Sequence, residues 1–155
     1  MKEHPQNADA PADIVAALRA TTLFGSLNPE QLQQVATRGQ PLTFATQQAI
    51  VQQGETSEGF FVLLGGHAAV VVAGSGSGEP MEVGRLGVGD VVGEMGLLLQ
   101  EARTASVVAV EETRALKFDS ATFRAMVERI PGFALAMCQE LAQRLRHANH
   151  QLPLG

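Results

Sequence analysis

The chain has 155 residues, of which 45% are hydrophobic and 17% are charged, a composition that fits one folded domain and excludes a disordered segment. Its net charge of −5 argues against nucleic acid as a direct partner. The apolar runs are too short to cross a bilayer, so no membrane partner is expected. A single cysteine, Cys138, excludes an intramolecular disulfide and is consistent with a cytoplasmic location.

Two helices are predicted near the N-terminus. Apolar residues recur at near-helical spacing in the first of them, at Ile14, Val15, Leu18 and Leu23. The second is expected in LNPEQLQQVATR, where Asn28 is a candidate N-cap and Pro29 a candidate first helical residue, because proline has no N–H to leave unpaired there. Residues 1–12 are polar, lack the apolar run of a secretory signal, and are predicted to form a flexible tail.

The middle of the chain is predicted to be all β. Seven short runs with strand-like composition lie between residues 41 and 118: PLTFAT, AIVQ, GFFVLL, HAAVVVAG, MEVGRL, TASVVAV and TRALKF. Glycine-rich and polar turns separate them. The GSGSG stretch lies between two such runs, so it is interpreted as a hairpin loop rather than a linker. Many short strands at this spacing favour a sandwich or a barrel.

The last third of the chain returns to helical periodicity. Asp119 or Ser120 can cap a helix, and Pro131 is expected to end it and to start the next one. The apolar faces of these two helices are predicted at Phe123, Met126, Val127 and Ile130, then at Phe133, Met137, Leu141 and Leu145. The chain is therefore predicted to form one domain at residues 13–150, followed by a short tail at 151–155.

The segment GEMGLLLQEARTAS, residues 93–106, carries the chemistry. Its glycines allow close approach of the backbone to a ligand, and the apolar turn after Gly96 would aim helical N–H groups at one point. Arg103 adds a forked guanidinium suited to phosphate, and Glu94 adds an acceptor suited to a hydroxyl group. Together these groups describe a nucleotide monophosphate pocket inside a barrel. The alternative is that Glu94 and Arg103 form a half-buried structural ion pair.

The same segment resembles the phosphate-binding cassette of the cyclic nucleotide-binding domain family, which includes the catabolite activator protein and protein kinase A regulatory subunits. The matching residues are Val92, Gly93, Glu94, Met95, Gly96 and Leu97, followed by Arg103, Thr104 and Ala105. Val92 is a conservative departure from the family pattern. The resemblance covers nearly the whole chain and implies an α+β fold: an eight-stranded β-roll (double-stranded β-helix, or jelly roll) with N-terminal helices and two C-terminal helices.

The resemblance also implies roles for individual residues of the cassette. Glu94 would accept a hydrogen bond from the ribose 2′-hydroxyl. Arg103 would bind the cyclic phosphate, aided by Thr104 and by backbone N–H groups near Gly96 and Leu97.

Outside the cassette, the resemblance implies an apolar wall near the base and ribose, made of Val70, Val83 and Leu86. On the last helix, Arg144 would lie close to the phosphate side of the site. Ala148 lacks the hydroxyl that contacts adenine in the activator, and Asn149 would supply donors and acceptors to the base instead.

The implied function is binding and sensing of a cyclic nucleoside monophosphate, with cAMP favoured over cGMP. The nucleotide would remain unaltered, so no enzyme activity and no catalytic residue are expected. The signal would pass to a protein partner or a fused effector domain. Because the chain stops at Gly155, no DNA-reading winged helix is expected, and the start at Met1 slightly favours a free-standing sensor. The alternative is a degenerate domain of the same fold that serves as a protein interaction module and binds no ligand.

Other candidate sites are given simpler interpretations. His147 and His150 lack a further ligand at supporting spacing, so neither a metal nor any other cofactor is expected. Cys138 is interpreted as a small buried hydrophobic residue, and the apolar stripe Phe133–Leu145 as core packing. Since helices at this position often pair in the family, a homodimer through the C-terminal helix is an additional prediction.

Overall fold

The computed structural model describes residues 11–21, 23–74, 78–93, 97 and 99–150, with only the backbone described at 11, 12, 144, 149 and 150. Within these residues the chain forms four helices around two four-stranded sheets. The α+β class and the eight-stranded roll are therefore confirmed. The predicted tails fall largely outside the described residues, and the domain limits stay a prediction.

The four helices lie at the two ends of the chain. They are α1 (Pro11–Ala20), α2 (Pro29–Arg38), α3 (Ser120–Arg129) and α4 (Phe133–His150). Asn28 caps α2 as predicted, because its side chain accepts from the Gln31 N–H at 2.8 Å while the Gln31 side chain accepts from the Asn28 N–H at 2.8 Å. Of the two candidate caps for α3, Asp119 is the one used, and its carboxylate accepts from the Thr122 N–H at 2.8 Å.

The strands between the helices pair in two antiparallel sheets. They are β1 (Gln40–Phe44), β2 (Ala49–Val51), β3 (Gly59–Gly65), β4 (Ala68–Val72), β5 (Met81–Leu86), β6 (Val91–Val92), β7 (Ser106–Ala109) and β8 (Thr113–Asp119). The first sheet has the order β1-β8-β3-β6, and the second has the order β2-β7-β4-β5. Strands β4 and β5 form a hairpin around the GSGSG stretch, as predicted.

Strand β3 divides the hydrophobic core in two, because all seven of its residues are buried and successive side chains point to opposite faces. Phe60 and Val62 face the helices, whereas Phe61 and Leu63 face the interior of the roll. We call these two groups the helix-side cluster and the roll-interior cluster. The helix-side cluster includes Phe24, Leu32, Phe118, Met126 and Phe133, and the roll-interior cluster includes Phe44, Val51, Val92, Val107 and Ala109.

Some expectations for the individual helices require correction. Leu23 lies beyond the end of α1 but is still buried in the helix-side cluster. Cys138 is exposed, so its predicted burial is wrong. The stripe on α4 is core packing at Phe133 and Met137, which are buried, and at Leu141, which packs against the helix-side cluster. It is not core packing at Leu145, which is 64% exposed. None of the helices in the described part of the chain is long and apolar enough to span a membrane.

Candidate functional site

A cavity of about 350 Å³ opens beside β6 and β7, on the roll-interior side of the molecule. Four of the predicted site residues line it: Gly93, Arg103, Thr104 and Ala105. The other lining residues are Val51, Val92, Leu99, Glu101, Ala102 and Val107. This volume is near the lower end of the range for small-molecule sites, and an apolar wall with a few converging polar groups is typical of them.

Arg103 occupies the wall of this cavity with a half-buried guanidinium. Its Nη1 donates to the Gly93 carbonyl at 3.2 Å, and its Nη2 donates to the Gly59 carbonyl at 2.6 Å. These two bonds use two of the five N–H donors that a guanidinium carries. The side chain is therefore held in one orientation with donors remaining for an anion.

Gly93 makes room for that guanidinium. Its φ of +91° lies in the left-handed region that favours glycine. A Cβ added at Gly93 would overlap Nη1 of Arg103. The glycine of the cassette is thus required twice, by its backbone angle and by the arginine packed against it.

Burial lowers the pKa of Arg103, while the nearby negative charge of Glu55 acts in the opposite direction. An arginine still stays protonated at neutral pH. The result is a positive charge that has lost part of its hydration, which strengthens its interaction with an anion in the cavity.

The backbone around Arg103 is fixed by the turn after β2. The Gly54 N–H donates to the Arg103 carbonyl at 2.8 Å, and the Arg103 N–H donates to the Glu55 carbonyl at 2.8 Å. Next to them, Thr56 and Ala102 form an isolated antiparallel bridge. Arg103 is therefore held by backbone hydrogen bonds to the turn after β2 and lies next to an isolated β-bridge.

The side chain of Leu97 packs against the helix-side cluster, whereas Arg103 lines the cavity on the roll-interior side. The Leu97 N–H donates to the Gly93 carbonyl at 3.2 Å. Leu97 lines a second cavity of about 500 Å³ together with Phe123 and Arg124 of α3. The structure therefore connects the cassette to α3 through Leu97.

The apolar wall is only partly assembled in the structure. Val70 and Leu86 pack against the roll-interior cluster but do not line the cavity themselves. The same cluster supplies Val51, Val92 and Val107 to the cavity. Val83 lies at a register shift between β4 and β5, is 57% exposed, and does not line the cavity. The structure does not bring Val83 together with the other predicted residues.

Five predicted site residues lie outside what the structure describes. Glu94, Met95 and Gly96 are outside the described residues altogether. For Arg144 and Asn149 only the backbone is described, within α4. Their predicted contacts to ribose, phosphate and base stay predictions, as does the alternative Glu94–Arg103 ion pair.

Sequence reasoning missed Gly59, whose carbonyl binds the arginine from 44 residues away in the chain. A backbone acceptor has no sequence signature, because every residue carries one. Val51 of β2 and Val107 of β7, which line the cavity, were also missed as site residues, and their burial within apolar strand-like runs is the signal that points to them. Across the described residues, no three histidine, cysteine or acidic side chains form a group able to hold a metal ion.

Comparison with known families identifies the class of protein. Residues 41–130 match the model of the cyclic nucleotide-binding domain family. This match covers more than half of the chain, so the chain belongs to this family.

Two curated relatives differ widely in what surrounds this domain. The chain is 30% identical to the cyclic AMP receptor protein of Thermus thermophilus over 137 residues, 88% of this chain and 63% of that protein. It is also 30% identical to lysophospholipase NTE1 of Coccidioides immitis over 100 residues, 64% of this chain but only 6% of that enzyme. The chain thus spans less than two thirds of either relative.

Solved structures share the fold at lower sequence identity. The N-terminal domain of a transcriptional regulator from Streptomyces coelicolor has a TM-score of 0.79 at 23% identity, covering 90% of this chain and 99% of that one. The regulatory domain of Toxoplasma gondii protein kinase A, crystallised with cAMP, has a TM-score of 0.72 at 20% identity, covering 86% of this chain and 50% of that one.

Proposed function

We propose that this domain binds a cyclic nucleoside monophosphate in the cavity beside Arg103 and senses it without altering it chemically. The observation that carries the proposal is the half-buried guanidinium of Arg103, oriented by the Gly93 and Gly59 carbonyls at the wall of a cavity of about 350 Å³. An oriented, poorly hydrated arginine binds phosphate strongly and with defined geometry. Glu94 would complete the site by accepting from the ribose 2′-hydroxyl.

Among the candidate ligands we propose cAMP, by a modest margin over cGMP. The Thermus thermophilus relative is named a cyclic AMP receptor protein, and the Toxoplasma gondii domain was crystallised with cAMP. Thr104 is exposed and lines the cavity next to Arg103. From this position it would contact the phosphate rather than the base. A pocket whose polar contacts go to sugar and phosphate discriminates weakly between bases.

We further propose that the bound state is transmitted to a protein partner or a fused effector domain rather than to nucleic acid, because the chain is acidic overall. Helix α4 offers a surface for a second copy of the chain. Leu135 and Leu145 are 62% and 64% exposed, which is unusual for leucines on a helix that also carries a buried face. A homodimer through α4 is consistent with that exposure.

The alternative function, an interaction module without a ligand, is supported by the same two hydrogen bonds. Arg103 connects Gly93 to Gly59 through hydrogen bonds within the protein, so the arginine also has a structural use. In that case Arg103 would be retained for stability alone.

Thermal unfolding with and without nucleotide separates these two functions. At about 100 times its Kd, a ligand that binds only the folded state adds roughly 2.7 kcal/mol of stability. For a chain of this size we expect cAMP to raise Tm by about 5–10 °C. AMP at the same concentration is the control for nonspecific stabilisation. No shift with millimolar cAMP or cGMP would contradict ligand binding and favour the interaction module.

A further inference from the structure

Strand β3 begins at the point where the ligand-site arginine and helix α3 are both anchored. The Gly59 carbonyl accepts from Nη2 of Arg103 at 2.6 Å. The same residue pairs in register with Asp119, which ends β8 and caps α3. One peptide unit of β3 thus separates the candidate phosphate site from a helix terminus.

The contact between β3 and β8 at this point is unusually close. A Cβ added at Gly59 would lie 2.5 Å from the Phe118 carbonyl oxygen and 3.1 Å from Cα of Asp119. Alongside it, the Ser120 N–H donates to the Glu58 carbonyl at 3.0 Å. With so little free space, a displacement of the β8–α3 junction moves the Gly59 peptide as well.

Asp119 holds that junction in place. Its carboxylate accepts from the Thr122 N–H at 2.8 Å, which fixes its own extended backbone conformation and closes the first turn of α3. Loss of this bond frays the first turn and releases the constraint on the Ser120 N–H. The constraint on Gly59 weakens with it.

We infer that Asp119 is a positioning residue for ligand binding, because it orients Arg103 through the Glu58–Gly59 backbone although it does not line the cavity itself. The ligand in this inference is the one named in the proposed function. The structural connection from Asp119 to Arg103 rests on the hydrogen bonds of the described residues. Coupling of this kind is reciprocal, so Arg103 in turn stabilises the start of α3.

Titration of cAMP into two Asp119 variants tests whether the cap at Asp119 affects ligand binding at Arg103. Asp119→Ala removes the cap, and we expect affinity to fall about fivefold. Asp119→Asn removes the charge but keeps a good N-cap, and we expect affinity within twofold of wild type. Electrostatics alone predicts a gain in affinity for both variants, because each loses the same negative charge near an anionic ligand. Equal affinity of Asp119→Ala and wild type would overturn the inference.

Asn28→Ala is the matched control, because Asn28 caps α2 in the same way and does not line the cavity. Both alanine variants lose a comparable amount of stability. We expect Asn28→Ala to bind cAMP within twofold of wild type. A loss as large as that of Asp119→Ala would mean that general destabilisation accounts for both, and the positioning role would be rejected.

Amide hydrogen exchange in the absence of ligand tests whether Arg103 stabilises the start of α3. In Arg103→Ala, we expect the Ser120 amide to exchange about tenfold faster than in wild type. The Leu32 amide, which donates to the Asn28 carbonyl in α2, should be unchanged. An unaltered Ser120 rate would refute the coupling. This measurement remains decisive if wild type binds no cyclic nucleotide, a result that would defeat the proposed function alone.

Discussion

The two sides of strand β3 show opposite kinds of packing. On the helix side, Phe60 stacks on Phe118 with ring centroids 5.0 Å apart and also contacts the rings of Phe24 and Phe123. On the roll-interior side, Phe61 contacts one ring, that of Phe44, among mostly small aliphatic residues. The cavity beside Arg103, the proposed ligand site, lies on this second side.

This difference in packing predicts that the two sides of β3 contribute to different properties of the domain, stability and ligand binding. Large interlocking rings on the helix side attach the helices to the first sheet with little free volume. Valine and alanine on the other side line a roll whose mouth leaves space beside Arg103. We therefore expect stability to be concentrated on one face of β3 and ligand binding on the other.

Alanine substitution of the two neighbouring phenylalanines tests this division directly. Phe60→Ala should cost about 3–5 kcal/mol of unfolding free energy, as for other buried aromatic residues. Phe61→Ala should cost about 1–3 kcal/mol less, because two fewer ring pairs are lost. Urea denaturation measures both variants. Equal losses would mean that the two clusters contribute alike.

The binding side is tested by Arg103→Ala. We expect the fold to remain and cAMP affinity to fall by roughly 2–5 kcal/mol, since a buried phosphate loses its charged partner. Calorimetry measures the loss, with Arg85→Ala as control, because Arg85 is exposed on β5 and pairs with Glu82. If Arg103→Ala bound within threefold of wild type, Arg103 would not be the phosphate ligand.

Gly93→Ala tests whether the space that Gly93 leaves for Arg103 is needed for ligand binding. The variant carries the left-handed backbone cost of about 1–2 kcal/mol and, in addition, displaces Arg103. Gly54→Ala is matched in backbone, with a φ of +90°, but its Cβ would meet nothing within 4 Å. Affinity for cAMP should fall at least about tenfold in the first variant and stay within twofold in the second. Similar affinities would show that only backbone strain matters.

The stability of the protein at acid pH tests the contribution of the Asp119 cap, where β8 ends and α3 begins. The hydrogen bond from the Thr122 N–H lowers the pKa of Asp119. Because the pKa of Asp119 is lowered by folding, its carboxylate stabilises the fold at pH values above the ordinary aspartate pKa of about 3.9. This stabilisation is lost as the pH falls through the pKa of the folded state. Because Asp119 is exposed to solvent, the effect is small, about 0.3–1 kcal/mol. Urea midpoints between pH 6 and pH 3 should fall more steeply for wild type than for Asp119→Asn, and parallel profiles would contradict this.

The smallest expected effect is the choice of base. Wild type should prefer cAMP over cGMP by less than about tenfold, because the contacts to sugar and phosphate are common to both nucleotides. Titration of both nucleotides in one buffer measures the ratio. A preference for cGMP of tenfold or more, removed in Thr104→Ala, would assign Thr104 to the base instead of the phosphate.

Local structure was the most predictable part of the fold. The cap at Asn28 and the first helical residue Pro29 follow from backbone chemistry within four residues, and both are confirmed. Strand β6 was not predicted as a strand, because Val91–Val92 has two residues and no alternation to detect. Its existence depends on pairing with β3, which is a tertiary interaction.

Burial on the last helix and around the site was less predictable. Cys138 follows Met137 in an apolar pattern, yet the helix turns it away from the core. Val83 is apolar, but it lies at a register shift in the β4–β5 pairing, on a strand with no buried residue, and it is exposed. Neither helix rotation relative to a sheet nor a bulge can be read from residue types alone.

A crystal structure of the protein with cAMP tests the central claim most directly. The account predicts the cyclic phosphate within hydrogen-bonding distance of the Arg103 guanidinium, inside the cavity lined by Val92, Thr104 and Ala105. The Nη2 bond to the Gly59 carbonyl should be retained. Crystals grown with millimolar cAMP that hold no nucleotide in this cavity, or hold it away from Arg103, would contradict the account.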